Sequence, residues 1–147
     1  MREKVMLFDC RPISTEDCIP LRSEVLRPHH PVEDCRFPLD GESRHFGAFQ
    51  GGELVSVVSA HPEAAFGASG AWRLRGMATS PLRQGSGAGS ALLEAFLTWA
   101  RSERIPLLWC NAREQAIPFY ERMGFTVEGE LFDIAGVGPH KVMKLRL

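Results

Sequence analysis

Pro81-Leu82-Arg83-Gln84-Gly85-Ser86-Gly87-Ala88-Gly89-Ser90-Ala91-Leu92-Leu93 sets three glycines at alternate positions just ahead of an amphipathic helix. A strand-like run, Trp72 to Met77, precedes it. Beyond it, Ala88, Ala91, Leu92, Ala95, Phe96, Trp99 and Ala100 fall at i, i+3, i+4, i+7 spacing. That stripe predicts a helix from Gly87 to about Arg104. A glycine turn between strand and helix exposes main-chain N–H groups at the positive end of the helix, with no Cβ to hold an anion away. The stretch therefore predicts an α/β fold with a seat for a phosphate or diphosphate.

The rest of the chain falls into elements around this turn. Lys4 to Arg11 reads as a first strand. Ser14, with Asp17 three residues on, reads as the cap of a helix that runs to about Leu26 and stops before Pro28. Arg27 to Gly41 reads as a loop with one helical turn near Val32 to Cys35. Arg44 to Gln50 and Glu53 to Ala60 flank Gly51-Gly52 as a hairpin. Ala71 to Ala78 is a further strand. Pro106 to Cys110 is wholly apolar, as expected of a strand buried on both faces. Arg113 to Met123 reads as a helix stopped by Gly124, followed by strands at Phe125 to Phe132 and Lys141 to Leu147. Antiparallel strands first and parallel crossovers later predict a mixed central sheet of about six to seven strands, flanked by helices on both faces.

Bulk properties narrow the partners. At 147 residues the chain suits one domain, 1–147, and 44% hydrophobic residues suit an ordinary soluble core. A formal charge of −1 with no run of five Lys or Arg points away from nucleic acid. No apolar run is long enough to span a bilayer, so no membrane partner is expected. Met1 to Asp9 has no apolar core of a leader, so the expected location is the cytoplasm. Cys10, Cys18, Cys35 and Cys110 lack the clustering of zinc ligands, and no metal is expected.

Several phosphate-binding motifs fail on this turn. A Walker loop needs Lys before the Ser or Thr that follows its last glycine, and here Gly89 is followed directly by Ser90. A dinucleotide fingerprint needs G-x-G-x-x-G, and Ser90 stands at the third glycine. Gln84-x-x-Gly87-x-Gly89 instead resembles the acyl-CoA signature Q/R-x-x-G-x-G/A of the GNAT superfamily of N-acetyltransferases. Pro81, the preceding strand, Asn111 closing the next strand, and Ala116-Ile117-Pro118-Phe119-Tyr120-Glu121-Arg122-Met123-Gly124-Phe125, similar to A-x-x-F-Y-x-x-x-G-F, extend the resemblance. It covers residues 71 to 132 by motif and the remainder by element order.

The resemblance implies a GNAT (acyl-CoA N-acyltransferase) fold and an N-acetyltransferase. Acetyl-CoA would be the co-substrate and a small-molecule or peptide amine the acceptor, with a homodimer within the family's habits. Amides of Gln84, Gly85, Ser86, Gly87, Ala88, Gly89 and Ser90 would hold the diphosphate. Met77, Ala78 and Thr79 would lie beside the pantetheine arm where the family splays two strands, with the Met77 N–H facing the oxyanion. Asn111 would bind the pantetheine arm or cap the next helix. Tyr120, the only tyrosine, would donate a proton to the leaving thiolate, or else be a core phenol.

The family's frequent strand acid is missing from Trp72-Arg73-Leu74-Arg75-Gly76. That leaves His45, His61, His140, Glu130 or water as the base. Arg73 or Arg75 would favour an acidic acceptor unless already paired. Pro28 to Asp40 would shape the acceptor pocket. Cys110 is set aside as an acyl carrier because its strand is apolar. A non-catalytic CoA-binding or regulatory module of the same fold is the alternative.

Overall fold

Ser14 opens the first helix as its pattern predicts. Its hydroxyl accepts from Asp17 N, and the Asp17 carboxylate accepts from Ser14 N. The computed structural model describes residues 7–147, so the Lys4–Met6 part of the predicted first strand lies outside the described residues. The elements are β1 (Asp9–Ile13), α1 (Thr15–Leu21), β2 (Arg44–Gln50), β3 (Glu53–Pro62), β4 (Trp72–Thr79), α2 (Ala88–Ser102), β5 (Leu107–Arg113), α3 (Ile117–Arg122), β6 (Thr126–Ile134) and β7 (Gly138–Arg146). The strands form one seven-stranded sheet in the order β1-β2-β3-β4-β5-β7-β6.

β1 runs antiparallel to β2, β4 parallel to β5, and β7 antiparallel to both β5 and β6. The sheet is therefore mixed. His45 and Phe46 are neighbours on β2 and point to opposite faces. His45 reaches Thr15 of α1 at 2.9 Å, whereas Phe46 packs edge-on against Phe96 of α2 with centroids 5.2 Å apart. Helices thus cover both faces.

The chain forms two compact units. One runs to Ser59 and takes in Gly76–Thr98; the other comprises Ala60–Arg75 and Trp99–Leu147. In the first, Cys18, Leu21, Val57 and Ala78 form a buried cluster, with Ile13, Val25, Leu26 and Leu54 packed on it. In the second, Trp72 stacks edge-on against Trp99 with centroids 5.4 Å apart. Among the described residues, no helix is long and apolar enough to cross a membrane.

Several element boundaries differ from the sequence reading. The helix predicted to Leu26 is α-helical only to Leu21. It continues as a widened π-type turn over Arg22–Leu26, closed by Arg27 N on Arg22 O at 3.0 Å. The helix predicted from Arg113 is shorter. A 3-10 turn at Glu114–Ala116 leads into α3, because Pro118 lacks an N–H and fits only a first turn. β5 runs on to Arg113 because each residue from Leu107 finds a partner on β7. The predicted helical turn near Val32 to Cys35 is present as a 3-10 turn.

Candidate active site

Several bonds fix the glycine turn from below. Ser80 N donates to Val55 O on β3 at 2.8 Å. Arg83 spreads its guanidinium over the β2–β3 hairpin, reaching Gln50 at 2.9 Å and Glu53 at 3.1 Å. The Gln84 side chain donates back to Thr79 O at 3.2 Å, and the Thr79 hydroxyl pairs with Ser56 at 2.8 Å. Thr79 and Gln84 therefore spend their side chains on the turn itself.

Gly85 and Gly87 have φ of +82° and +93°, yet a Cβ at either would touch nothing within 4 Å. Backbone rotation, not crowding, requires glycine there. The first helical bond of α2 runs from Ala91 N to Gly87 O at 2.9 Å. The N–H groups of Ala88, Gly89 and Ser90 stand ahead of it, in the positions that an α-helix cannot satisfy internally. Gln84, Gly85 and Gly87 also present N–H groups with no carbonyl partner among the described residues.

Ser86 departs from expectation, since its N–H is taken by Arg83 O at 3.1 Å and its hydroxyl turns to the same carbonyl. The side chains from Gln84 to Gly87 are exposed. The turn can thus offer a set of donors to a diphosphate without breaking any bond of its own.

Met77 and Ala78 follow Gly76, which takes a φ of +66° inside the continuous strand β4. Ala78 is buried against Cys18, Leu21 and Val57, so it contributes only main chain. Met77 is half-buried.

In the second unit, Asn111 lies inside β5 opposite Val142. The helix-cap alternative fails: Arg113 occupies the position before the 3-10 turn, and no side chain caps it. Tyr120 is buried on α3, with its ring edge-on to Phe119 and Phe125 at 5.2 and 5.4 Å. Its carbonyl accepts from Phe125 N at 3.0 Å across Gly124, whose φ of +101° closes the helix as predicted. Burial pushes the phenol well above its ordinary value, and neighbouring Cys110 acts in the same direction. Tyr120 therefore keeps its proton at any working pH.

Burial also pushes the Cys110 thiol up to about 12. A thiol held there is a poor nucleophile at neutral pH. Cys110→Ala is expected to keep kcat within about two-fold of wild type, and rapid quenching with mass spectrometry should find no acyl-enzyme. A trapped acyl group on Cys110 would refute direct transfer.

Of the base candidates, His45 is engaged through both ring nitrogens, whereas the buried Nδ1 of His61 has no partner among the described residues. The His45 Nδ1 atom lies 2.6 Å from the Ser59 hydroxyl, and its Nε2 faces Thr15 and the Asp40 carbonyl. The Nδ1 atom of His140 lies 2.7 Å from Gly138 O. His61 is buried and faces Glu63 at 3.0 Å. Glu130 is exposed on β6.

Glu63 was not singled out by sequence, although His61-x-Glu63 spacing puts both on one face of an extended segment. Glu63 also pairs with Arg73 at 3.5 Å, and the Arg73 guanidinium lies 5.2 Å from the Trp109 ring centroid. Trp109 Nε1 in turn donates to Glu63 O at 2.9 Å. Arg73 is thus a paired arginine rather than an open acceptor contact.

Comparison with known proteins agrees with this geometry. The model of the Acetyltransferase (GNAT) family matches residues 10–125. YitI of Bacillus subtilis (strain 168), an uncharacterized N-acetyltransferase, is 36% identical over 141 residues, covering 93% of this chain and 95% of that protein. A GCN5-related N-acetyltransferase from Kribbella flavida superposes with a TM-score of 0.75 at 20% identity, covering 96% of this chain and 98% of the other. An aminoglycoside 6'-N-acetyltransferase complexed with coenzyme A gives a TM-score of 0.75 at 14% identity, covering 94% and 96%. An exposed glycine turn at a helix N-terminus, this sheet order and these matches together show that the chain belongs to the GNAT family of acetyltransferases.

Proposed function

We propose that the chain, as one domain over 1–147, moves an acetyl group from acetyl-CoA directly to a primary amine within a ternary complex. The main support is the run of N–H groups at Gln84, Gly85, Gly87, Ala88, Gly89 and Ser90 with no main-chain carbonyl partner among the described residues. They suit the diphosphate of a CoA donor, and the CoA held by the aminoglycoside acetyltransferase neighbour supports the same choice. Asn111 would hold the pantetheine arm.

In the reaction the amine nitrogen attacks the thioester carbonyl carbon. The Met77 N–H takes the developing oxyanion. When the C–S bond breaks, the electron pair leaves on sulfur and Tyr120 supplies a proton or a hydrogen bond to it. The amine's surplus proton passes to water, and where Tyr120 has given up its proton to sulfur it regains one from water. The products are an N-acetyl amide and CoA thiol.

Free thiol released across a panel of amines tests this, with thermal shifts for acetyl-CoA, ATP and NAD as the binding control. Stabilisation by acetyl-CoA with no thiol release on any amine would favour the non-catalytic CoA-binding module. Tyr120→Phe is expected to lower kcat about 100-fold while KM for acetyl-CoA moves less than about three-fold. An unchanged kcat would remove Tyr120 from the chemistry.

A further inference from the structure

Arg22 is fully buried, which is rare for arginine, and almost all of its donors are spent. Its Nη1 donates to Asp40 Oδ2 at 2.7 Å and to Cys35 O at 2.9 Å. Its Nη2 donates to Asp40 Oδ1 and to the Ser59 hydroxyl, both at 2.9 Å. Asp40 also accepts from Phe37 N at 2.7 Å, and Arg22 Cζ stands over the Phe37 ring, 4.0 Å from its centroid.

The remaining donor, Nε, has no partner among the described residues. It faces Gly76: a Cβ on Gly76 would stand 3.2 Å from Nε and 2.9 Å from Phe37 Cε2. So the left-handed residue inside β4 closes directly against the guanidinium and ring. Gly76 also immediately precedes Met77, so its φ and ψ set the direction of the Met77 N–H.

We propose that Arg22 is a positioning residue for acetyl transfer: locked by Asp40, Ser59 and Cys35 and backed by Phe37, it is the wall that holds the Gly76 turn and thereby aims the Met77 amide. This rests on the assignment of the Met77 N–H to the oxyanion. It also ties the segment carrying Cys35, Phe37 and Asp40 to the donor side of the reaction.

Arg22→Lys keeps the charge but loses the two-pronged grip and the flat surface. It is expected to lower kcat at least ~10-fold, with KM for acetyl-CoA and Kd for CoA within about three-fold of wild type. Phe37→Leu keeps the ion pair and removes the ring. It should lower kcat by about three- to five-fold with the same constants preserved, and it carries the test if the lysine variant does not fold.

A folded variant with wild-type kcat, or one whose KM and Kd rise together while kcat stays, overturns the role of Arg22. Gly76→Ala separates this from the assignment beneath it. If Gly76→Ala turns over like wild type, the Met77 amide is not the oxyanion donor. If Gly76→Ala is slow while folded Arg22→Lys is not, only the positioning role falls.

Discussion

Gly87→Val is expected to raise the Kd for acetyl-CoA by at least ~100-fold, a loss of about 2.7 kcal/mol of binding. Gly87 stands at φ +93° in an exposed turn. A β-branched residue is a strong outlier there, so the turn would rotate and carry the N–H groups of Gly87 and Ala88 off target. Where it did not rotate, the isopropyl group would stand among the N–H groups that the diphosphate needs. The space around Gly87 is open, so the cost falls on binding more than on folding. Titration calorimetry with acetyl-CoA reads the effect, and a melting curve without ligand confirms the fold. Binding within three-fold of wild type would mean that the diphosphate does not rest on this turn.

Asp40→Ala is expected to destabilise the protein by about 3–5 kcal/mol, because it strands the buried Arg22 charge without a counter-charge. Asp40 answers both arms of that guanidinium and the Phe37 amide. Burial on its own would raise the Asp40 pKa; bonds from Arg22 and from Phe37 N outweigh it and hold the carboxyl below its ordinary value. Denaturant unfolding at neutral pH measures the loss. The pair Arg22→Met with Asp40→Leu should recover most of it, since apolar side chains of similar volume often replace a buried ion pair at little cost. A single-substitution loss below about 1 kcal/mol would show that the pair is solvated in solution.

What could be read from the sequence was what neighbouring residues decide among themselves. Ser14 and Asp17 cap each other across three positions, Gly51-Gly52 joins two strands, and the glycines from 85 onward need no distant partner to mark a turn. Gly124 stops α3 for the same local reason. What escaped was set by partners far along the chain. Arg22 meets Asp40 and Ser59, which lie 18 and 37 residues away. An arginine in a helical stripe ordinarily reads as surface, so the buried cluster left no mark.

Asn111 was misplaced because β5 extends as far as β7 pairs with it, a length that β5's own residues do not encode. Ser86 was counted among the free amides because glycine spacing alone does not show that Arg83 O turns back to claim it.

The insertion of β7 between β5 and β6 bears on how the molecule is made. On the ribosome β6 emerges before the strand that joins it to anything else. Thr126–Ile134 must therefore wait for Gly138–Arg146, close on it as a two-stranded ribbon, and only then dock through β7 along Leu107–Arg113. Until that docking, the β7-facing side of β5 offers bare peptide groups to any passing chain. Synthesis at high yield would therefore gain more from slowing that final docking partner's competitors, by chaperone or low temperature, than from changing the residues of β5.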